Sequence, residues 1–555
     1  MSTATTRSGS PRPPSLRAAA LALLMLAAPL AWAQSTALSA GEAIYRRGVL
    51  PSGAPLTATR EAGFEVRGAD AACVNCHKRS GFGASEGEII VPPVTQRYLF
   101  RPGGASNEDL DYRYLQSGAL ARTPYTEATL ARAIREGLGR HAQQLNYLMP
   151  RYQIDDVALQ ALVGYLKALS AAPPPGVGAD TLQFATIVTP DADPARREGM
   201  LSVMNQFVAD KNAYTRAGIK PMYSAKGVAY RVKRHWQLHV WELTGLPDTW
   251  EAQLDRKLAA EPVFAVISGV AGHTWAPVHR FCERQGIPCL LPNVDLPVVA
   301  ERDFFPVYYS RGVLLESDLL AQRIASTPVK RVVQVFRRDD VGRDAAAALR
   351  AALSVPGAVA VASIPIFIDH ELPSGAMGAA LAAALKGSAP GDALVLWLRP
   401  QDLTKLPAAP PSSVAVYLSG LLGGLENAPL PRAWRSAALM AYPFDPPELR
   451  KFRMNFPLGW FKVRQIPVVD ERIMSDTYVA CGIVAESVQE MLDSFSRDYL
   501  VERVEMMMSR KATTGYYPRL GLAIGQRFAS KGGYLVRFTE PEGKTVAVEG
   551  DWVVP

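Results

Sequence analysis

The sequence predicts two fold classes in one chain: an all-α domain over residues 34–170 and a two-lobed α/β domain over 181–555. Three observations carry this. Apolar residues before 170 recur at helical spacing, with no run of strand patterns. After 180, short apolar runs alternate with amphipathic helical stretches, the signature of parallel sheets covered by helices. Between them, 171–180 holds Pro173-Pro174-Pro175-Gly176 and Gly178, which continue neither helix nor strand and mark a linker. The second region spans roughly 375 residues, more than one sheet usually holds, so two lobes follow.

In the first region Ser39-x-x-Glu42 opens a helix through Ile44 and Tyr45 as a capping box. A second helix starts near Thr126. A third starts at Asp155 or Asp156 and places Ala158, Leu162, Tyr165, Leu166 and Leu169 on one face. In the second region the expected strands are Phe184–Val188, Val263–Ser268, Cys289–Leu291, Val332–Phe336, Val359–Phe367, Ala393–Leu398 and Val414–Leu418. Helices are expected between them, then a long one over about 476–511 and a β-rich tail around Gly532-Gly533.

Residues 1–33 read as an export signal. Arg7, Arg12 and Arg17 precede an apolar run from Ala18 to Leu30, and Ala31-Trp32-Ala33 is a small-x-small cleavage pattern. The run is short for a span, which needs about 20 apolar residues, so the mature chain is expected to be periplasmic, without a membrane span. Of 555 residues, 48% are hydrophobic and 20% charged, which excludes bulk disorder. Without the signal, Lys and Arg number 57 against 52 acidic residues, with no long basic run, so nucleic acid is not an expected partner.

Cys73-Val74-Asn75-Cys76-His77 is the strongest motif. Two thiols three positions apart can add to the two vinyl groups of one haem, with the adjacent His as a ligand to its iron. A zinc half-site would want further Cys or His nearby, and none comes before His141. Met149, in Leu148-Met149-Pro150, is the expected sixth ligand; His141 is the competitor. The reading is therefore one covalent haem c. Arg79, in the turn 79–83, is a propionate contact or part of a plain turn.

On these features residues 39–170 resemble a class I mono-haem cytochrome c domain. The resemblance implies crossed first and last helices, and the long spacing from His77 to Met149 implies an insertion around 100–122. Residues 181–545 resemble type I periplasmic solute-binding proteins of the branched-chain amino-acid kind, on Phe184–Val188, on Phe304–Arg311 as entry to the second lobe, and on Ser268-Gly269-Val270-Ala271-Gly272-His273-Thr274 between a strand and a helix. The resemblance implies that Ser268, Gly272 and Thr274 receive a ligand carboxylate with helix-start N–H groups, with Asp339 on the opposite wall. The whole chain resembles cytochrome c/ABC transporter substrate-binding fusions.

Cys282 and Cys289 flank a helix end at Gly286 and are disulfide candidates in an oxidising compartment; Cys481 reads as a buried thiol. His235-x-x-x-His239 lies in a strand-like stretch with no third ligand. The main functional expectation is a non-enzymatic single-electron carrier. Its partners would be a periplasmic dehydrogenase or another cytochrome, and the fused domain would bind a small molecule or dock the partner. The alternative is a solute receptor whose haem is a redox sensor. Met149 in the sixth position argues against a peroxidase.

Overall fold

In the computed structural model the described residues are 38–60, 63–86, 89–102, 123–213, 215, 222–223, 229–230, 234–300, 302–329, 331–338, 340–354, 362–368, 376–510, 515–523 and 525–555. The expected signal segment 1–33, most of the expected insertion and Asp339 lie outside them. The chain divides into two compact units, Met1–Ala172 and Pro173–Pro555.

The smaller unit begins with helix α1 (38–47). Strands β1 (Thr57–Thr59) and β2 (Glu65–Arg67) follow, then α2 (Val74–His77), β3 (Ala84–Glu86), β4 (Ile89–Val91), α3 (Gln96–Phe100), α4 (Glu127–Glu136), β5 (Arg151–Gln153) and α5 (Asp156–Ala168). Thr126 and Thr129 cap α4 reciprocally, and Gly137 ends it at φ 72°. The Asp155 carboxylate accepts from the Ala158 N–H at 2.7 Å and starts α5. Ile44 and Tyr45 are buried with Leu162, Tyr165 and Leu166. A Cβ at Gly41 would stand 2.2 Å from the Ala161 carbonyl oxygen, so α1 and α5 approach closely only because position 41 is glycine. The all-α expectation for this unit is incomplete. β1 pairs antiparallel with both β2 and β5, and β3 with β4. These strands are three residues each, too short for a period-2 pattern to show in the sequence.

In the larger unit the first lobe runs through β6 (Thr181–Val188), α6 (Pro194–Ala213), β7 (His235–Glu242), α7 (Trp250–Ala260), β8 (Ala265–Ile267), α8 (Ala276–Gln285), β9 (Cys289–Leu290) and β10 (Pro306–Val307). Its sheet is wholly parallel in the order β10-β9-β8-β6-β7. Strands covered on both faces read as unbroken apolar runs, and Ala265–Ile267 is buried throughout. Gly286 caps α8 at φ 60°, turning the chain so that Cys282 and Cys289, disulfide-bonded, have Cα atoms 6.1 Å apart.

The second lobe comprises α9 (Val313–Ala325), β11 (Arg331–Arg337), α10 (Gly342–Leu353), β12 (Ala362–Ile368), α11 (Met377–Leu385), β13 (Ala393–Trp397), α12 (Pro400–Leu403), β14 (Ala415–Ser419), α13 (Arg432–Ala437) and β15 (Ala438–Tyr442). The chain then returns to the first lobe as α14 (Pro447–Val463), α15 (Glu471–Met491) and α16 (Arg497–Arg510), and ends on the second with β16 (Tyr534–Phe538) and β17 (Val546–Val548). The second sheet is ordered β12-β11-β13-β14-β15-β16-β17; its first five strands are parallel and its last two antiparallel.

Three passages of chain therefore join the lobes, and two of them zip together: Tyr308 donates to the Arg527 carbonyl at 2.8 Å and accepts from the Ala529 N–H at 3.0 Å. The 304–311 stretch, expected to enter the second lobe, forms the edge of the first sheet before crossing. The long helix expected over 476–511 is two helices. They break at Leu492, which has φ 54°. Residues 175–178 are held on this unit: Gln183 donates to the Gly176 carbonyl at 2.8 Å, and the Arg497 guanidinium to the Pro175 carbonyl at 3.4 Å.

Candidate functional site

The smaller unit holds a cavity of about 260 Å³ lined by Cys73, Cys76, His77 and Met149, with aliphatic walls such as Leu130 and Leu162. The CxxCH sequence forms the one-turn helix α2, which sets both thiols and the imidazole on this lining. The Nδ1 of His77 lies 2.9 Å from the Pro92 carbonyl oxygen. With the proton on Nδ1, that contact fixes the ring and leaves Nε2 as the basic nitrogen. Burial lowers the His77 pKa, keeping the imidazole neutral, the form that ligates. Burial also pushes the Cys73 thiol up to about 12. Two thiols, a neutral imidazole and a thioether around an apolar cavity fit a haem c. Arg79 is not on the lining; Arg60 and Arg140 are, and the Arg140 guanidinium lies 4.0 Å from the Tyr125 ring centroid. His141 is exposed, its Nε2 3.2 Å from the Thr123 hydroxyl, and it does not line the cavity.

In each lobe of the larger unit the strand order reverses once, between β6 and β8 and between β11 and β13. Outside the carboxyl ends of such strands an open α/β sheet forms its crevice. On the first lobe these ends lead into Thr189–Asp191 and the Ser268–Thr274 turn, on the second into Asp340 and Arg399.

The first wall is filled by the chain itself. The Asp191 carboxylate accepts from the N–H groups of Gly272 at 3.3 Å and His273 at 2.8 Å, from the Thr189 hydroxyl, and from the His273 ring Nδ1 at 2.8 Å. Partial burial opposes its ionisation, but the hydrogen bonds from His273, Thr189 and Gly272 outweigh that and hold it at about 2. The hydrogen bond to Asp191 in turn raises the His273 pKa. The other residues expected to hold a ligand carboxylate are also engaged internally. The Thr274 hydroxyl accepts from the Ala276 N–H at 3.2 Å at the start of α8. Ser268 is buried, and its hydroxyl accepts from the Asn293 amide at 3.0 Å. Gly272 lacks a Cβ that would otherwise meet the Asp191 carbonyl oxygen at 2.2 Å.

Charged pairs bridge the cleft. Arg399 donates to both Asp340 oxygens, at 2.7 and 2.9 Å, and to Asp295 of the first lobe at 2.8 Å. Asp295 also accepts from Arg196 at 2.9 Å, with Arg472 3.5 Å away. Burial opposes the charge on Asp295, yet the three guanidiniums hold its pKa far below the usual carboxylate range. His273 Nε2 lies 3.9 Å from Asp340 across the same gap. Sequence reading missed Asp191, Asp295, Asp340, Arg196, Arg399 and Arg472. Asp191 and Arg399 each follow a strand end by two or three residues, which is the signal that could have found them.

No family model matches the chain, and no curated protein matches it. Among solved structures the chain is similar to a fatty acid ABC transporter substrate-binding protein from Thermomonospora curvata, at 14% identity over 69% of this chain and 95% of that one, with a TM-score of 0.49. It is also similar to a possible leucine/isoleucine/valine-binding protein from Rhodopirellula baltica, at 14% identity over 67% and 97%, TM-score 0.47. A third is the branched-chain amino acid transporter substrate-binding protein LivJ from Streptococcus pneumoniae in complex with isoleucine, at 10% identity over 67% and 99%, TM-score 0.47. The two-lobed α/β architecture rests on the strand order itself.

The expectation of an iron- and metal-binding cytochrome whose activity is electron transfer is corrected. Among the described residues, no group of three or more His, Cys, Asp or Glu side chains could hold a metal ion. His235 and His239 are spent on Thr215 at 3.1 Å and Gln183 at 3.0 Å. A haem is a separate matter, because it brings its own ring ligands and needs two thiols and axial groups rather than such a cluster.

Proposed function

We propose that the chain is a periplasmic solute-binding receptor of a transport or sensing system, and that its smaller unit carries one covalent haem c. The observation that supports the receptor reading is the meeting of the two strand-order reversals. Each contributes charged groups to one cleft: Asp191 and His273 from the first lobe, Asp340 and Arg399 from the second. Three passages of chain between the lobes allow them to part and close around a solute. The test is a thermal-shift and calorimetric screen of the full chain against amino acids, small carboxylates, fatty acids and organic cations. One class should raise the melting midpoint, and Arg399→Ala should abolish the rise. A screen in which nothing moves the midpoint overturns the reading.

Cys73 and Cys76 would hold the haem by thioether bonds, and His77 and Met149 would ligate it; when bound, the group would supply a reversible one-electron couple. In this reading it acts as a redox sensor, so ligand affinity differs between the oxidised and reduced protein by the factor by which ligand shifts the couple. Haem retained after acid-acetone treatment, at one per chain, supports the cofactor; freely extracted haem rejects it. Identical ligand affinity in both redox states rejects the sensor.

A further inference from the structure

Helix α14 turns an apolar face to solvent. Leu449, Phe452, Phe456 and Val463 are 59%, 75%, 57% and 74% exposed, and the exposed Val468 and Val469 continue the patch in the following loop. At about 100° per residue the four side chains of α14 fall in one narrow stripe along the helix. The opposite face is buried through Met454, Pro457 and Phe461, and Phe461 packs with Val203 and Met474. The two phenylalanines meet edge to face, with ring centroids 6.1 Å apart.

Cations border the stripe on both sides. Exposed Lys451 and Lys462 lie on one flank, about 80–100° round the helix from Phe452. Arg453, paired with Asp445, and Arg464, paired with Asp210 at 2.9 Å, lie along the other. Glu448 in the first turn is the only carboxylate of the helix. An apolar centre with lysines along its border is the pattern of a helix lying in a bilayer interface: the rings enter the acyl boundary and the ammonium groups reach lipid phosphates. A second copy of the chain would bring the same cations face to face, which disfavours self-association. Among the described residues no helix is long and apolar enough to cross a membrane, so the contact is a surface one.

We propose that the outer face of α14 is a docking site for an anionic phospholipid surface, with Phe452 and Phe456 inserting and Lys451 and Lys462 contacting phosphates. Sedimentation of the full chain with phosphatidylcholine vesicles, with and without phosphatidylglycerol, tests it. The chain should pellet with the phosphatidylglycerol vesicles, less so as salt rises. The pair Phe452→Ser and Phe456→Ser should lower partitioning on the order of tenfold or more without lowering the melting midpoint, since both rings are already exposed. Lys451→Glu with Lys462→Glu should remove the preference for phosphatidylglycerol. The proposal is overturned if the chain stays in the supernatant, or if pelleting is indifferent to the phenylalanine pair. It also fails if the phenylalanine pair instead abolishes binding to a protein partner or self-association in lipid-free solution.

Discussion

Replacing Asp191 with alanine should do two opposite things, weakening the fold and freeing an anion site. In the folded protein the carboxyl titrates at about 2 against an ordinary 3.8, which corresponds to roughly 2.4 kcal/mol. The side chain is 27% exposed and its His273 partner 47%. Solvent screening therefore cuts that figure by half or more, to about 1 kcal/mol. Because the folded pKa is depressed, this stability is present above 3.8 and is lost as pH falls toward 2. The raised pKa of His273 has the opposite sign: its contribution is complete below 6.5 and fades as pH rises through the folded value. Urea titrations should accordingly show Asp191→Ala about 1 kcal/mol less stable than wild type near pH 5.5, with the gap closing below pH 2. The freed N–H groups of Gly272 and His273 should then donate to an external carboxylate, so acetate or leucine should raise the melting midpoint of the variant more than that of wild type. Asp191→Asn keeps one acceptor oxygen and should behave between the two. If wild type binds a carboxylate ligand and Asp191→Ala binds it more weakly, the idea that Asp191 occupies the anion subsite is wrong.

Three further outcomes follow from other parts of the structure. Glu316 is fully buried and accepts from the Leu421 N–H at 2.8 Å and the Ser419 hydroxyl; burial pushes its pKa up to about 8. A raised carboxyl pKa costs stability as pH climbs from about 4.5 to 8, so Glu316→Gln should flatten that decline in denaturation curves at stepped pH, and an unchanged slope counts against the assignment. Breaking the Cys282–Cys289 bond, which closes a loop with a separation of seven residues, should cost about 2 kcal/mol in chemical unfolding of the Cys282→Ser/Cys289→Ser variant. Gly41→Val should force α1 from α5 and cost on the order of 2–3 kcal/mol in the smaller unit; wild-type stability would mean the helices do not approach as described.

What the sequence made legible were the features with strong local causes. Strand and helix positions in the larger unit stand out because covered parallel strands are continuous apolar runs, as in Ala393–Trp397. The thiols and imidazole of the CxxCH cluster line one cavity because a motif with fixed spacing carries its own geometry. Non-local events were not legible. Nothing near Gly272 announces that Asp191, 81 positions away, takes its N–H. The Arg399–Asp295 pair spans 104 positions and exists only once two lobes face each other. A Gly-rich turn before a helix was a sound cue to an anion site, but composition cannot say whose anion fills it. The helix expected over 476–511 is two helices because a single residue at positive φ, Leu492, breaks it without a glycine to give warning.

The three passages between the lobes make each lobe discontinuous in the gene. The first lobe takes α14, α15 and α16 from residues 447–510, and the second waits for β16 and β17 from residues 534–548. A ribosome or translocation channel that has released only the first 440 residues has delivered neither lobe whole. Both must remain open to late additions: the first until residue 510 emerges, the second until residue 548. Of two fragments cut at the apparent lobe border near residue 310, the first would lack its three returning helices and the second would carry them with no first-lobe sheet to cover, so dissection of the larger unit calls for circular permutation, with both lobes kept on one chain.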